Sequence, residues 1–214
     1  MLAVKDIKFY KLALFINALV PLALLGWDWR RGALGANPLD FVTRTTGTLT
    51  LVFLALTLAV TPLRKWTGAQ WLVRLRRMVG LYAFFYGSLH FLCYVWFDKQ
   101  FDFSGIAQDV VRRWFIIVGF TAFTSMIPLA VTSTDKMIKR LGGKRWQKLH
   151  RLTYLSAAAG VFHYYLLVKS DVRKPIAFAV IIAVLLGYRL FAAYTKRGPK
   201  AKPLSLTTPP QRKA

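Results

Sequence analysis

Three histidines, His90, His150 and His163, are the residues whose type and placement most readily suggest chemistry. His90 and His163 fall toward the ends of long apolar runs, where an ionisable side chain is costly and marks a functional position. Small residues precede both: Gly80, Ala83 and Gly87 stand 10, 7 and 3 residues before His90, and Ser156, Ala159 and Gly160 stand 7, 4 and 3 before His163. At about 100° per residue each set shares a helical stripe with its histidine, which leaves a slot for a flat macrocycle edged by Phe84, Tyr86, Phe91 and Tyr164. Two imidazoles at similar depth, facing one another across such a slot, suit a haem iron with two axial nitrogens. Small residues at this spacing also let bare helices approach, and a membrane histidine can be a hydrogen-bonded packing residue, so both readings stand at this level.

His150 sits differently, in Trp146-Gln147-Lys148-Leu149-His150-Arg151 at the start of the run that carries His163. Thirteen residues of helix separate the two by about 20 Å. They also rotate them roughly 140° apart, so a shared face needs the helix to deviate, for which Gly160 is the expected place. At the matching depth before His90 stand Arg76 and Arg77; guanidinium is a poor iron ligand but a good partner for propionate or phosphate. His150 is therefore either a ligand of a second haem or other cofactor, or a surface histidine at a helix start. Cys93 is the single cysteine, which excludes an intramolecular disulfide and any cysteine-based zinc or iron–sulfur site within the chain.

The elements that must hold these side chains follow from composition. Of 214 residues 56% are hydrophobic and 15% aromatic, and 31 Lys and Arg face 8 acids, all Asp. A basic nucleic-acid binder would not carry apolar runs of the length that crosses roughly 30 Å of hydrocarbon. Six such runs occur, over 12–27, 47–63, 79–97, 114–131, 152–168 and 176–193, each bounded by charge or Pro. None alternates at period two, so the backbone can satisfy itself in lipid only as helix. The fold class expected is an all-α integral membrane bundle of six transmembrane helices over 1–195, followed by a basic, disordered tail over 196–214. Of the 31 basic residues, 22 fall in the N-terminus, the second and fourth connections and the region from Arg189 onward, which places both termini in the cytoplasm. The seven Trp fall at or just beyond expected helix ends and read as interfacial anchors. No Walker or G-x-G-x-x-G pattern is present, and Gly142-Gly143 reads as a turn between basic amphipathic pieces.

Several spaced motifs carry a resemblance over nearly the whole chain. They are Gly32-Ala33-Leu34-Gly35-Ala36-Asn37-Pro38, Thr61-Pro62-Leu63, Arg76-Arg77-Met78-Val79-Gly80-Leu81 leading to Leu89-His90, Thr132-Ser133-Thr134, and Lys144-Arg145-Trp146-Gln147-Lys148-Leu149-His150-Arg151-Leu152-Thr153-Tyr154 with His163-Tyr164. With these the chain resembles the haem-binding membrane subunits of protein-methionine-sulfoxide reductase systems, the MsrQ or YedZ family. More widely it is similar to the ferric reductase and NADPH oxidase transmembrane domain, in which histidine pairs on the third and fifth helices hold two stacked haems.

The resemblance implies haem b, in one copy or two, and bound FMN. It also implies electrons from the quinone pool or a cytosolic flavin reductase, and delivery to a periplasmic molybdopterin-containing catalytic subunit that repairs methionine sulfoxide. The setting implied is the bacterial inner membrane, with the chain multi-pass in the lipid bilayer. One departure from the oxidase pattern is that Arg76 or Arg77 replaces the inner histidine of the third helix. No nucleotide-binding domain follows, so a lipid-soluble or separately bound donor is expected. On this reading His90 and His163 are the axial ligands, with Gly80, Gly87 and Gly160 making room. Electron input falls at His150 with Arg76, Arg77, Lys144, Arg145 and Trp146, a basic cluster suited to a flavin phosphate, a propionate or a semiquinone. Arg112, Arg113 and Lys169 are outer candidates for propionate pairing. A small proton-coupled transporter or channel using His90 and His163 is the alternative from another class, and a purely structural anchor is a third.

Overall fold

Hydrocarbon offers a backbone no hydrogen-bond partner but itself, and each apolar run accordingly folds as helix. The computed structural model describes residues 4–195. Along the chain run α1 (Val4–Arg30), α2 (Pro38–Thr67) and α3 (Leu72–Cys93), which continues into a π-helical turn (Tyr94–Asp98). Then come α4 (Phe103–Arg112), α5 (Trp114–Val131), α6 (Asp135–Leu141), α7 (Gly143–Leu149), α8 (Leu152–Leu167) and α9 (Arg173–Thr195). The expected tail over 196–214 lies outside the described residues.

Local chemistry fixes the ends of these elements. The Asn37 side chain accepts from the Asp40 amide at 3.1 Å with Pro38 as first helical residue, and Gly68 closes α2 in the left-handed conformation at φ 69°. Threonines that look too polar for a span return their hydroxyls to the preceding turn: Thr46 to Val42, Thr50 to Thr46 and Thr57 to Phe53, at 2.7–2.9 Å.

Five helices, α1, α2, α3 with its π turn, α5 and α9, are long and apolar enough to cross a membrane. The fifth expected span is realised as α8, whose 16 residues rise only about 24 Å. Its deviation also falls elsewhere than expected: the helix breaks at His150-Arg151, between α7 and α8, and runs unbroken through Gly160. α4 stands in a connection where no helix was expected; its N-cap is Asp102, which accepts from the Gly105 amide at 3.0 Å.

Two helix pairs form the frame, α2 on α3 and α5 on α8, with α9 laid against α2 and α8 and with α3 against α5. Leu58, Ala83, Tyr86, Ser156 and Ala157 are fully buried between them. Tyr82 and Tyr86 donate their hydroxyls to the Phe15 and Ala18 carbonyls at 2.9 and 2.6 Å, which ties α1 to α3. Tyr86, expected at the edge of a macrocycle slot, is thus turned away from it. Most tryptophans are exposed at helix ends, but Trp146 is folded inward.

Candidate functional site

Each histidine of the outer pair is held in the same way by a different helix pair. His90 on α3 donates Nδ1–H to the Thr43 carbonyl of α2 at 2.9 Å, and His163 on α8 donates Nδ1–H to the Phe115 carbonyl of α5 at 2.7 Å. A carbonyl only accepts, so both rings are fixed as the Nδ1–H tautomer and both keep the Nε2 lone pair for a ligand. A metal-binding histidine is normally oriented by just such a bond from its other nitrogen.

The ring reaches each carbonyl because a glycine lies one helical turn beyond it. A Cβ on Gly47, four residues after Thr43, would stand 3.0 Å from His90 Nδ1, and one on Gly119, four residues after Phe115, would stand 2.7 Å from His163 Nδ1. A Cβ at either position would force the ring to shift, by more at Gly119 than at Gly47. The same device therefore occurs twice, a carbonyl and a glycine on one helix receiving an imidazole from its partner.

The two rings are 6.2 Å apart at their centres and nearly perpendicular, at 77°. Two metal–imidazole bonds of about 2 Å, with roughly 1 Å from nitrogen to ring centre on each side, put the centres about 6 Å apart across one shared metal. Both rings line a cavity of ≈ 580 Å³ walled by Leu51, Leu54, Phe91, Phe120, Phe123 and Tyr164, a volume in the usual range of cofactor sites. Among the described residues no three His, Cys, Asp or Glu side chains converge. A metal here would take two protein ligands and need the rest from a bound group, and the cavity volume leaves room for a macrocycle.

Of the small residues expected to line the slot, Gly87, Ser156 and Gly160 do, whereas Ala83 and Ala159 do not. A Cβ on Gly160 would stand 3.0 Å from Leu51, while Gly87 meets Thr50 and Met126 at ordinary distances. Gly80 lies outside the cavity and packs on Thr57, because ten residues carry it about 15 Å along α3 from His90. Phe84 stacks on Phe123 behind the wall. Arg113 reaches the cavity rim, but Arg112 and Lys169 are exposed and do not. Arg44, not singled out from the sequence, stands on the rim beside Asp40 at 2.7 Å.

Above the rim, Asp109 of α4 accepts from Lys99 at 2.5 Å, from Arg113 at 3.3 Å and from the Tyr94 hydroxyl at 3.1 Å. The Lys99 ammonium, with Tyr94 and Arg113 adding, holds the Asp109 carboxyl below the usual carboxylate range against the opposing effect of burial. This network fastens α4 across the end of α3.

At the other end of the bundle, the Thr132 hydroxyl gives its proton to the Pro128 carbonyl at 2.6 Å, so His150 Nε2, 3.1 Å away, is the donor to Thr132. Trp146 stacks on the imidazole with ring centres 3.8 Å apart and donates its indole N–H to the Thr132 carbonyl at 2.9 Å. Burial, and then the charges of Arg76 and Arg77, push His150 down to about 4. The expected basic cluster is divided: Arg77 pairs with Asp135 at 2.6 Å, Lys144 and Arg145 are exposed, and Arg76 lies within electrostatic reach of Arg189 and Tyr154.

With this geometry in view, comparison with known proteins is direct. A family model described as "Ferric reductase like transmembrane component" matches residues 46–161, the stretch that includes α3 and α5 and ends just before His163. A protein of Herminiimonas arsenicoxydans named "Protein-methionine-sulfoxide reductase heme-binding subunit MsrQ" is 54% identical over 189 residues, 87% of each chain. Proteins of the same name from Ralstonia nicotianae and Azospira oryzae are each 50% identical, covering 89% and 88% of this chain and 89% and 82% of theirs. On a match of this extent and identity, the chain belongs to the MsrQ family within the ferric reductase-like transmembrane proteins.

Proposed function

We propose that the chain is a haem b-containing transmembrane electron-transfer subunit of a methionine sulfoxide reductase system. The observation that carries this reading is the matched pair of Nδ1-anchored imidazoles, 6.2 Å apart, on a cavity large enough for a macrocycle. Names of the relatives, heme-binding subunits of a methionine sulfoxide reductase, support it. Both termini are assigned to the cytoplasm of a bacterium and the histidine pair to the periplasmic side of its inner membrane, on the basic asymmetry of the connections. Electrons enter from quinol, or from a cytosolic flavin reductase with FMN, and leave to a periplasmic molybdopterin-containing catalytic subunit.

His90 and His163 would hold the haem through Nε2, and the chemistry it would supply there is one-electron exchange. Everything else is done by the chain. Donation of Nδ1–H to Thr43 and Phe115 fixes ring orientation and raises the basicity of each ligating nitrogen. Leu51, Leu54, Phe91 and Phe120 keep water from the slot, and Arg44 and Arg113 stand at the rim to take propionates. At the inner end His150, neutral near pH 7, keeps Nδ1 free to accept a hydrogen bond from a quinol hydroxyl or a reduced flavin.

The test uses the purified full-length chain. A Soret band that shifts on reduction is expected, with haem iron near one or two per chain, and reduction by quinol or reduced flavin slows markedly in His150→Ala while the band stays. A chain that carries no haem when produced with ample haem supply sinks the reading. Reporter fusions at Lys99 and Asp171 are expected to be periplasmic and at Arg140 cytoplasmic.

A further inference from the structure

At the basic end of the bundle, where α2, α3, α8 and α9 meet, hydrogen-bond donors outnumber their acceptors among the described residues. Arg189 belongs to α9, and its neighbours Leu190 and Phe191 are exposed at 73% and 68% on the lipid-facing side. Its guanidinium points inward instead. Nη2 donates to the Leu58 carbonyl of α2 at 2.5 Å, Nη1 to the Tyr154 hydroxyl at 3.3 Å, and the guanidinium lies 5.3 Å from the Tyr154 ring centre. The remaining nitrogen, Nε, is buried with no hydrogen-bond acceptor. Few buried polar atoms in folded proteins are left this way, and each calls for a partner.

Beside it Arg76 is half-buried and forms no hydrogen bond or ion pair among the described residues, although its five N–H groups are all donors. The charges of Arg189 and Arg64 bear on it, and Asp135 is committed to Arg77. Tyr154 accepts from Arg189 and has its own O–H proton free of any acceptor among the described residues. Three guanidinium groups, two of them partly withdrawn into the bundle without a counter-charge, are unfavourable unless something negative joins them. One water would satisfy a single N–H and leave the charge as it is. A group with several acceptor oxygens and a negative charge would satisfy Arg76, Arg189 Nε and the Tyr154 hydroxyl together, and a phosphate carries enough oxygens to meet both guanidinium forks and the hydroxyl at once.

We infer that the corner formed by Arg76, Arg189 and Tyr154, with Arg64 at its edge, is a binding site for a phosphate group. Two sources present that chemistry here, the headgroup of an anionic phospholipid of the adjoining leaflet and the phosphate ester of a soluble molecule such as a flavin mononucleotide. The site stands apart from the histidine pair, so its failure leaves the haem reading untouched.

The experiment takes the full-length chain in nanodiscs of phosphatidylcholine with graded phosphatidylglycerol, and reads retained lipid by native mass spectrometry. In parallel it compares FMN with riboflavin, which lacks the phosphate, in a binding titration. Expected is a preference of at least tenfold in one arm, phosphatidylglycerol over phosphatidylcholine for a lipid source or FMN over riboflavin for a soluble one. That preference disappears in Arg189→Gln and in Arg76→Gln and survives in Arg77→Gln. Because Arg76 makes no hydrogen bond among the described residues, Arg76→Gln keeps the test decisive if Arg189→Gln fails to fold. No phosphate-dependent preference in either arm, or one that both variants retain, overturns the inference.

Discussion

At one end of the bundle His90 and His163 give Nδ1–H to backbone carbonyls; at the other, His150 gives Nε2–H to a threonine hydroxyl and lies under an indole. The first arrangement leaves the Nε2 of both rings without a protein partner, and both rings line one cavity. The second leaves one Nδ1 with no second imidazole near it and with guanidinium groups as neighbours. Anchors differ in kind as well. A carbonyl cannot be removed by substitution, so the outer rings are vulnerable only through the glycines that let them approach, whereas His150 depends on side chains that can each be exchanged. The outer pair keeps two ring nitrogens unengaged on one cavity; the inner histidine is held neutral beside positive charge.

The largest expected effect breaks the comparison at its strongest point. His90→Ala or His163→Ala removes most bound haem, read as haem iron per chain and as loss of the Soret band, while His150→Ala retains the outer haem. A low-spin six-coordinate spectrum surviving in the His90→Ala/His163→Ala double variant would remove the basis for treating the pair as ligands.

A smaller effect isolates the glycines. Gly119→Ala, whose Cβ would stand 2.7 Å from His163, is expected to cost about 1–3 kcal/mol in overpacking and to lower haem retention severalfold. Gly47→Ala, at 3.0 Å from His90, acts in the same direction but less, and Gly80→Ala, at 3.7 Å from Thr57, is near neutral. Equal haem retention in all three would mean that the carbonyl–glycine device does not position the rings.

The smallest effect sharpens the inner end. His150 sits near 4 when folded against an ordinary 6.5, so the unfolded chain takes up the proton first. Its contribution to stability is full above about pH 6.5 and is lost as pH falls toward 4. Screening of this partly exposed site reduces the slope to the order of 1 kcal/mol over that window. His150→Gln should flatten Tm against pH there and leave the profile above pH 7 unchanged; a parallel slope in the variant assigns the pH dependence to other groups.

How much of this was legible in the sequence depends on whether the feature lives in side chains or in backbone. The apolar run over 114–131 coincides with α5, the run over 152–168 with α8 to within a residue, and the intramembrane histidines stood out because charge is rare in such runs. The partners of those histidines did not stand out, since a carbonyl has no letter of its own. Gly47 and Gly119 were hidden for another reason: glycine is common in membrane helices, and only the position four residues after the accepting carbonyl gives these two their role. Offset alone misassigned Gly80, because a shared stripe says nothing about distance along the helix. Arg189 read as one more basic residue of the tail region, and its inward turn depends on Leu58 and Tyr154, far away in the chain.

The shortness of α8 has a consequence for the surrounding lipid. At 16 residues it falls roughly 6 Å short of a typical hydrocarbon core, while α2 beside it has 30 residues. Such a mismatch is met by local thinning of the bilayer or by flanking polar groups reaching out to the headgroups, at a fraction of a kcal/mol per ångström. Met by thinning at the elbow with Lys148, His150 and Arg151, the mismatch would bring headgroups and water closer to the middle of the membrane there than around the longer helices. On the electron-transfer reading proposed above, a reductant arriving there would meet a shorter insulating path than beside the longer helices.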